Sequence, residues 1–491
     1  TPYFVSPHDS KTIYLGGNVL FKTTDEGLHW EVISPDLTND IKERQKITGT
    51  PWLSEYFGQE IYSTIKRVTE SPLKKGVIWS GSDDGKIFIT KDGGGNWEDI
   101  SIIDGVPEFS QVYEIEPSPH DAATAYVVFS NFNTYDDYNP YIFKTSDYGK
   151  SWTNLTANFP QDQVTRTIRE DKKRKGLLFV GTETGMYYSL NDGQTWDKLK
   201  ANLPAVPVVD AVIKDNDLVI ATNGRGFWIM DDITPLRTKS AEIDAKAIHL
   251  FPISNHTRFG YNWWLDYVPG GDPGDKKNYF VQNMRPGLTY YEIGFTPING
   301  ERKRKFIDAG DPKPLGVVMY FKLEKAPKEI SLAILDKDGN EIRNYTKEQM
   351  SLNYGSDDNF NSGLNKFVWD MRINRVTAVP KRPPTAISPI VAPGKFTAKL
   401  TVDGIIETQD FEVFMNPKET YTQEQADGKF DFWMDMYDTA ESSTKKVIAA
   451  LQLKTDNEEI LEKYKASDAN VNKIKKVEEQ VKVISSIVEN Y

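Results

Sequence analysis

The chain predicts a mainly β protein: β-propeller blades first, then an antiparallel β-sandwich, then a helical hairpin. Three observations carry this. One octet with the pattern Thr/Ser-x-Asp/Asn-x-Gly-x-x-Trp recurs four times before residue 200, between short apolar strands. After residue 316 apolar residues alternate with polar ones, as half-buried strands require. Beyond Thr420 the apolar spacing changes to threes and fours, the period of a helix.

The octets are Thr23 to Trp30, Thr90 to Trp97, Thr145 to Trp152 and Ser189 to Trp196. Each follows an apolar strand ("NVLFKT", "KIFIT", "YIFKT", "MYYSL") and precedes another ("EVI", "EDI", "TNL", "DKL"), which makes a β-hairpin. In such a turn the Asp or Asn oxygen accepts backbone N–H groups ahead of it, and Gly takes the positive-φ position. The Trp is expected to fold under the turn and be buried. These Asp residues are consumed by turn bonding and are not catalytic candidates.

Two further strands precede each octet, as in "VTESPLKKGVIWSGSDDGKIFIT" and "REDKKRKGLLFVGTETGMYYS". Four strands per unit is a propeller blade. A fifth unit, "VVDAVIKDNDLVIATNGRGFWIMDD", has three strands and lacks its octet. The expectation is an incomplete propeller over residues 1–235, with blades upstream of residue 1 and an open edge on the last unit.

Residues 236–315 read as an aromatic-rich connector, containing "HTRFGYNWWLDYVPGGDPGD". Residues 316–418 read as an immunoglobulin- or fibronectin-like sandwich: Phe367, Trp369 and Met371 share one face, as do Phe396, Ala398, Leu400 and Val402, and Asp403-Gly404 is a two-residue hairpin turn. Residues 419–491 read as an α-helical hairpin, with one stripe of Trp433, Tyr437, Ala440, Thr444, Val447 and Leu451 and a second of Ile474, Val477, Val481, Ile484 and Val488.

Composition narrows function by exclusion. The 491 residues carry a formal net charge of −12, which gives no general grip on nucleic acid or an anionic membrane. There is no Cys, so no disulfide, thiol nucleophile or thiolate metal site exists, and the five His form no metal-binding spacing. No window reaches the roughly 18 apolar residues of a membrane span. No cofactor or metal is expected, and "DKDGNE" reads as a hairpin turn, being too short for a calcium loop.

The octet resembles the Asp-box, or bacterial neuraminidase repeat. Together with "NGRGFWIMDDITPL", "GLNKFVWDMR" and "PGKFTAKLTVDG", the first 420 residues or so resemble the large secreted bacterial proteins labelled BNR-repeat or sortilin-type glycosyl hydrolases. The resemblance implies an exported propeller followed by a sandwich. It does not imply catalysis, since a repeat is not a site.

The enzymatic reading asks for specific groups. A sialidase-like site needs an Arg triad, and Arg67, Arg166, Arg169 and Arg225 are the available cations; Arg166 and Arg169, an odd number apart in one strand, are expected on opposite faces. A glycosidase pair needs two carboxylates about 5 to 9 Å apart. Glu60, Glu183 and Asp210 are its weak candidates; Asp83-Asp84-Gly85 reads as a turn. Binding has a better anchor in Tyr261, Trp263, Trp264 and Tyr267, with Arg225, since aromatic faces in a loop stack on sugars or partner side chains. The structural reading of the same aromatics is a plug between propeller and sandwich, and it is the one expected for at least one of Trp263 and Trp264. The expected function is thus a secreted or surface-held, noncatalytic binding or assembly module for an extracellular protein or polysaccharide, the alternative being a glycoside hydrolase whose site lies partly outside this chain.

Overall fold

The computed structural model describes residues 2–45, 62–200, 202–258, 279–284, 287–295, 302–306, 316–351, 360–380, 388–467 and 471–489. It divides into two compact units, Thr1–Thr238 and Lys239–Tyr491.

The first unit is five antiparallel sheets in chain order. Blade 1 is β1 (Tyr3–Val5), β2 (Ile13–Gly16), β3 (Leu20–Thr23) and β4 (Glu31–Val32). Blade 2 is β5 (Ile65–Glu70), β6 (Ile78–Ser82), β7 (Ile87–Thr90) and β8 (Glu98–Asp99). Blade 3 is β9 (Gln111–Pro117), β10 (Ala125–Asn131), β11 (Asp137–Thr145) and β12 (Thr153–Asn154), with the single-turn helix α1 (Phe132–Tyr135) between its middle strands. Blade 4 is β13 (Thr165–Glu170), β14 (Leu178–Thr182), β15 (Gly185–Ser189) and β16 (Asp197–Lys198). Blade 5 stops at three strands, β17 (Val208–Lys214), β18 (Asp217–Thr222) and β19 (Phe227–Met230), and leads into α2 (Thr234–Thr238). The three-stranded last unit was legible in the sequence, and among the described residues no strand pairs with the free edge of β19.

Apolar side chains on facing sheets fuse each blade to the next, through four separate clusters. The second strands record this. Those of blades 2 to 4, β6, β10 and β14, are buried at every residue, whereas β2 and β18 are buried only at alternate positions. Middle blades are covered on two faces and end blades on one.

The four octets close their turns as the sequence predicts. Asp25, Asp92, Asp147 and Asn191 accept the amides of His29, Asn96, Ser151 and Thr195, each at 2.9 Å. The Thr or Ser hydroxyl accepts the Gly amide at 2.9–3.0 Å. The glycines have φ of 97°, 109°, 85° and 80°, in the left-handed region.

The Trp expectation is corrected. Only Trp196 is buried, at 8% exposure; Trp97 and Trp152 are half-buried and Trp30 is 42% exposed. The reason is that a ring is covered by the preceding blade and not by its own turn. Trp97 donates its indole N–H to the Ile33 carbonyl and Trp196 to the Leu155 carbonyl, both at 2.9 Å. Trp30 turns back on its own Gly27 carbonyl at 3.1 Å.

The second unit holds a two-sheet sandwich. One sheet is β20 (Ile248–Leu250), β25 (Val317–Leu323) and β28 (Gly363–Trp369); the other runs β21 (His256–Thr257), β30 (Ile405–Phe414), β29 (Gly394–Val402), β26 (Ile330–Leu335) and β27 (Glu341–Tyr345). Their inner faces share one core that includes Phe367, Trp369, Met371, Phe396, Ala398, Leu400 and Val402. Asp403 and Gly404 have φ of 47° and 86° and connect the paired Val402 and Ile405, the expected turn. In the "DKDGN" turn Asp336 accepts the amides of Asp338 and Asn340 at 2.9 Å. A separate sheet comprises β22 (Tyr279–Met284), β23 (Gly287–Phe295) and β24 (Arg302–Phe306). The short helices α3 (Ala241–Ala245) and α4 (Lys347–Ser351) flank strands of this unit.

Two sequence readings change here. β20 and β21 fall in the stretch read as connector yet join the two sheets, because three and two residues are too short to show a period. The first tail helix, α5 (Gln423–Ala466), runs 44 residues, and α6 (Val471–Glu489) follows. The stripe of α5 holds from Tyr437 through Ala440, Thr444 and Val447 to Leu451; Trp433 departs from it, being exposed, while Phe430 and Met434 pack on the sandwich core beside Tyr437. α5 opens with a capping box in which the Thr422 hydroxyl accepts the Gln425 amide and the Gln425 side chain accepts the Thr422 amide.

Candidate functional site

The inner strands of blades 2 to 5 all break register near their first residue. β5 pairs Ile65 with Ser82 and Arg67 with Gly81, leaving Lys66 as an extra residue. The same count leaves Tyr113 extra in β9, Arg166 in β13 and Val209 in β17. A β-bulge turns the side chain of its extra residue out of the strict alternation. Repeated from blade to blade, it re-aims one side chain per blade toward the same end of the unit, opposite the octets.

Three of these side chains meet. The Lys66 ammonium lies 3.9 Å from the centre of the Tyr113 ring, and the Arg166 guanidinium 4.9 Å from it. Arg166 also donates to the Tyr113 hydroxyl at 2.8 Å and forms a close ion pair with Glu183. All four side chains are half-buried. Burial pushes the Tyr113 hydroxyl up from its ordinary range, against the pull of Arg166. Near Lys66, Asp83 accepts the Thr64 amide at 2.8 Å; burial, helped by Asp84, lifts its carboxyl to about 6. Asp84 accepts the Asn39 amide and the Ser82 hydroxyl, so the Asp83-Asp84-Gly85 stretch is a braced turn.

One step deeper, Arg169 ties three blades together. It bonds Glu114 at 2.7 Å, Glu116 at 3.5 Å, Asp210 at 2.7 Å and the Ala211 carbonyl at 2.6 Å. Arg67 repeats the device one blade earlier, reaching the Tyr113 carbonyl at 2.6 Å and Glu114 at 3.6 Å. Burial lifts Glu116 to about 7, with Arg169 opposing and Glu114 adding to the shift.

The sequence candidates are thus placed differently from one another. Glu183 is at the mouth, locked to Arg166, and Asp210 is in the Arg169 cluster. Arg225 is exposed in the turn between β18 and β19, where its carbonyl accepts the Trp228 indole. Glu60, Tyr261, Trp263, Trp264 and Tyr267 lie outside the described residues. The expectation that Arg166 and Arg169 face opposite ways is corrected: the bulge at Arg166 resets the alternation, and both reach toward β9. Sequence reasoning missed Lys66 and Tyr113, since an irregularity in pairing leaves no mark in apolar spacing.

Comparison with known proteins agrees on the propeller. The family model described as sortilin, neurotensin receptor 3, matches residues 85–225. The resemblance to sortilin-type Asp-box proteins therefore holds over these blades. No curated protein matches the chain. Among solved structures, a xyloglucanase of the GH74 type from Xanthomonas campestris is 13% identical, covering 83% of this chain and 70% of its own, with a TM-score of 0.38. YCF48 bound to D1 peptide is 16% identical over 50% of this chain and 69% of its own, with a TM-score of 0.32. An ancestral GH74 enzyme is 13% identical, with a TM-score of 0.35; the match covers 72% of this chain and 39% of that enzyme.

Proposed function

We propose that the chain is a noncatalytic binding or assembly module, secreted or held at a cell surface, that takes an extracellular protein or polysaccharide at the mouth of its Asp-box blades. The observation that carries this is the bulge series, which brings Lys66, Tyr113 and Arg166 together from three blades. A half-buried aromatic ring flanked by two cations offers stacking surface and N–H donors in fixed geometry, which suits the hydroxyl or carboxylate oxygens of such a ligand. Arg225 and the Tyr261, Trp263, Trp264 and Tyr267 loop are proposed as further contacts.

Catalysis finds less support. Glu183 and Asp210 are each engaged in an ion pair with an arginine, which occupies the oxygen that a glycosidic bond would have to meet. The observation favouring the hydrolase alternative is Asp83, whose carboxyl sits near 6, in the range of an acid catalyst.

An array of polysaccharides and glycoproteins tests the binding site. Retention of the intact chain should fall about tenfold or more in a Tyr113→Ala variant, the loss of a stacked anchor. Retention unchanged in Tyr113→Ala and in Lys66→Ala would remove the mouth as the site.

A further inference from the structure

The two end blades expose side chains that every other blade buries. Cross-strand pairing makes Tyr3 the counterpart of Val68, Ile115, Ile168 and Ala211 in the inner strands. Those four are 0–7% exposed, whereas Tyr3 is 75% exposed. At the other end Phe227 is the counterpart of Leu20, Ile87, Ile142 and Met186, which are 0–1% exposed, and Phe227 is 80% exposed. Tyr3, Val5, Leu28, Trp30 and Val32 together make the outer side of blade 1 an exposed apolar surface.

The joint between blades says what fits that surface. Each outer strand is followed by one aliphatic residue, Ile33, Ile100, Leu155 or Leu199, whose amide bonds the third strand of its own blade at 2.9–3.0 Å. The first three enter a socket in the next blade, made by the octet Gly and Trp. A Cβ on Gly94 would lie 2.6 Å from the Ile33 carbonyl, on Gly149 2.4 Å from Ile100 Cδ1, and on Gly193 2.8 Å from Leu155 Cδ1. Leu199 is buried in the joint between blades 4 and 5. Among the described residues the fourth socket, Gly27 with Trp30, holds no such residue: a Cβ on Gly27 meets only the ring of Trp30, at 3.8 Å.

We propose that the outer face of blade 1 is a docking surface for a further Asp-box blade, and that an Ile or Leu ending that blade's outer strand fills the Gly27–Trp30 socket. The occupant is a blade from outside residues 1–491. A second copy of this chain does not supply it, because all four of its aliphatic residues are already used in its own joints. Continuity with the three existing joints defines the partner's chemistry: a two-residue outer strand, then a branched aliphatic side chain, whose carbonyl accepts the indole N–H as those of Ile33 and Leu155 do from Trp97 and Trp196.

The test gives the chain such a blade. Residues 104–165 contain blade 3 and its natural connector; placed directly ahead of Thr1, they deliver Leu155 to the socket, since Thr1 precedes Tyr3 as Arg166 precedes Ile168. Hydrogen exchange is then read on peptides covering residues 3–15 and 24–33. The proposal expects exchange there to slow by roughly tenfold or more, and to return toward the parent rate when the added Leu155 is changed to Ala. A Leu155→Met version of the added copy, which keeps the volume, should retain the protection and controls for loss of folding. Unchanged exchange with the added blade folded overturns the proposal. So does a parent chain that sediments as a dimer with residues 24–33 already protected, because the face would then belong to a second copy.

Discussion

Two glycines at the same position of the same motif separate the joint from the turn. Gly94 and Gly27 each sit at the fifth place of an octet with φ of 109° and 97°. Replacement by Ala costs roughly 1–2 kcal/mol at either site, because a Cβ is strained in the left-handed region. At Gly94 the new Cβ would also lie 2.6 Å from the Ile33 carbonyl oxygen and 2.9 Å from Ile33 Cβ, and this neighbour is the body of another blade rather than the tip of a flexible chain. Overpacking of that kind costs about 1–3 kcal/mol more. At Gly27 the nearest atoms belong to Trp30, at 3.8 Å. Gly94→Ala should therefore destabilise the chain by about 1–3 kcal/mol more than Gly27→Ala, read as the difference in urea midpoints at constant slope. Equal losses at the two sites would refute the idea that the octet glycines serve the joint between blades.

Other expectations follow from the same geometry. Asp147→Ala removes the acceptor of the Ser151 amide and hydroxyl, and should lower stability by about 1 kcal/mol without changing retention on any ligand column. Asp83 and Glu116, lifted to about 6 and about 7, bind protons more readily folded than unfolded, so each favours folding at low pH. Their contribution should disappear as pH rises from about 4 through 6–7, and Asp83→Asn should flatten that part of the urea-midpoint profile. The octet carboxylates act in the opposite sense: Asp25, Asp92 and Asp147 are held below their ordinary range by their turn hydrogen bonds, so the stability they give is lost as pH falls below about 4. A midpoint that rises steadily from pH 5 to pH 8 would contradict the account of Asp83 and Glu116.

The parts of this fold that repeat were legible, because each octet states its own turn: an acceptor, a positive-φ glycine and a Trp within eight residues. The same holds for β29, where Phe396, Ala398, Leu400 and Val402 alternate inward. What the octet did not state is the partner of its Trp, since Ile33 is 64 residues from Trp97 and belongs to another blade. The mouth was hidden for a related reason. Alternation predicts which face a residue takes only while pairing stays in register, and the bulges at Lys66, Tyr113 and Arg166 break it where the chemistry converges. On α5 the stripe read from the sequence included Trp433, but an amphipathic helix is oriented by what it packs on, and at that end of the helix the sandwich core takes Phe430 and Met434, with the expected Tyr437, instead of Trp433.

The claim that matters most is that the mouth holds a ligand without cutting it. Xyloglucan oligosaccharides and sialylated glycans incubated with the intact chain, followed by mass spectrometry of the recovered sugars, address it directly. Sugars recovered at their starting mass, including those retained by the chain, are the predicted result. New reducing ends that no longer form in Glu183→Gln, Asp210→Asn or Asp83→Asn would contradict it and make the propeller a glycoside hydrolase.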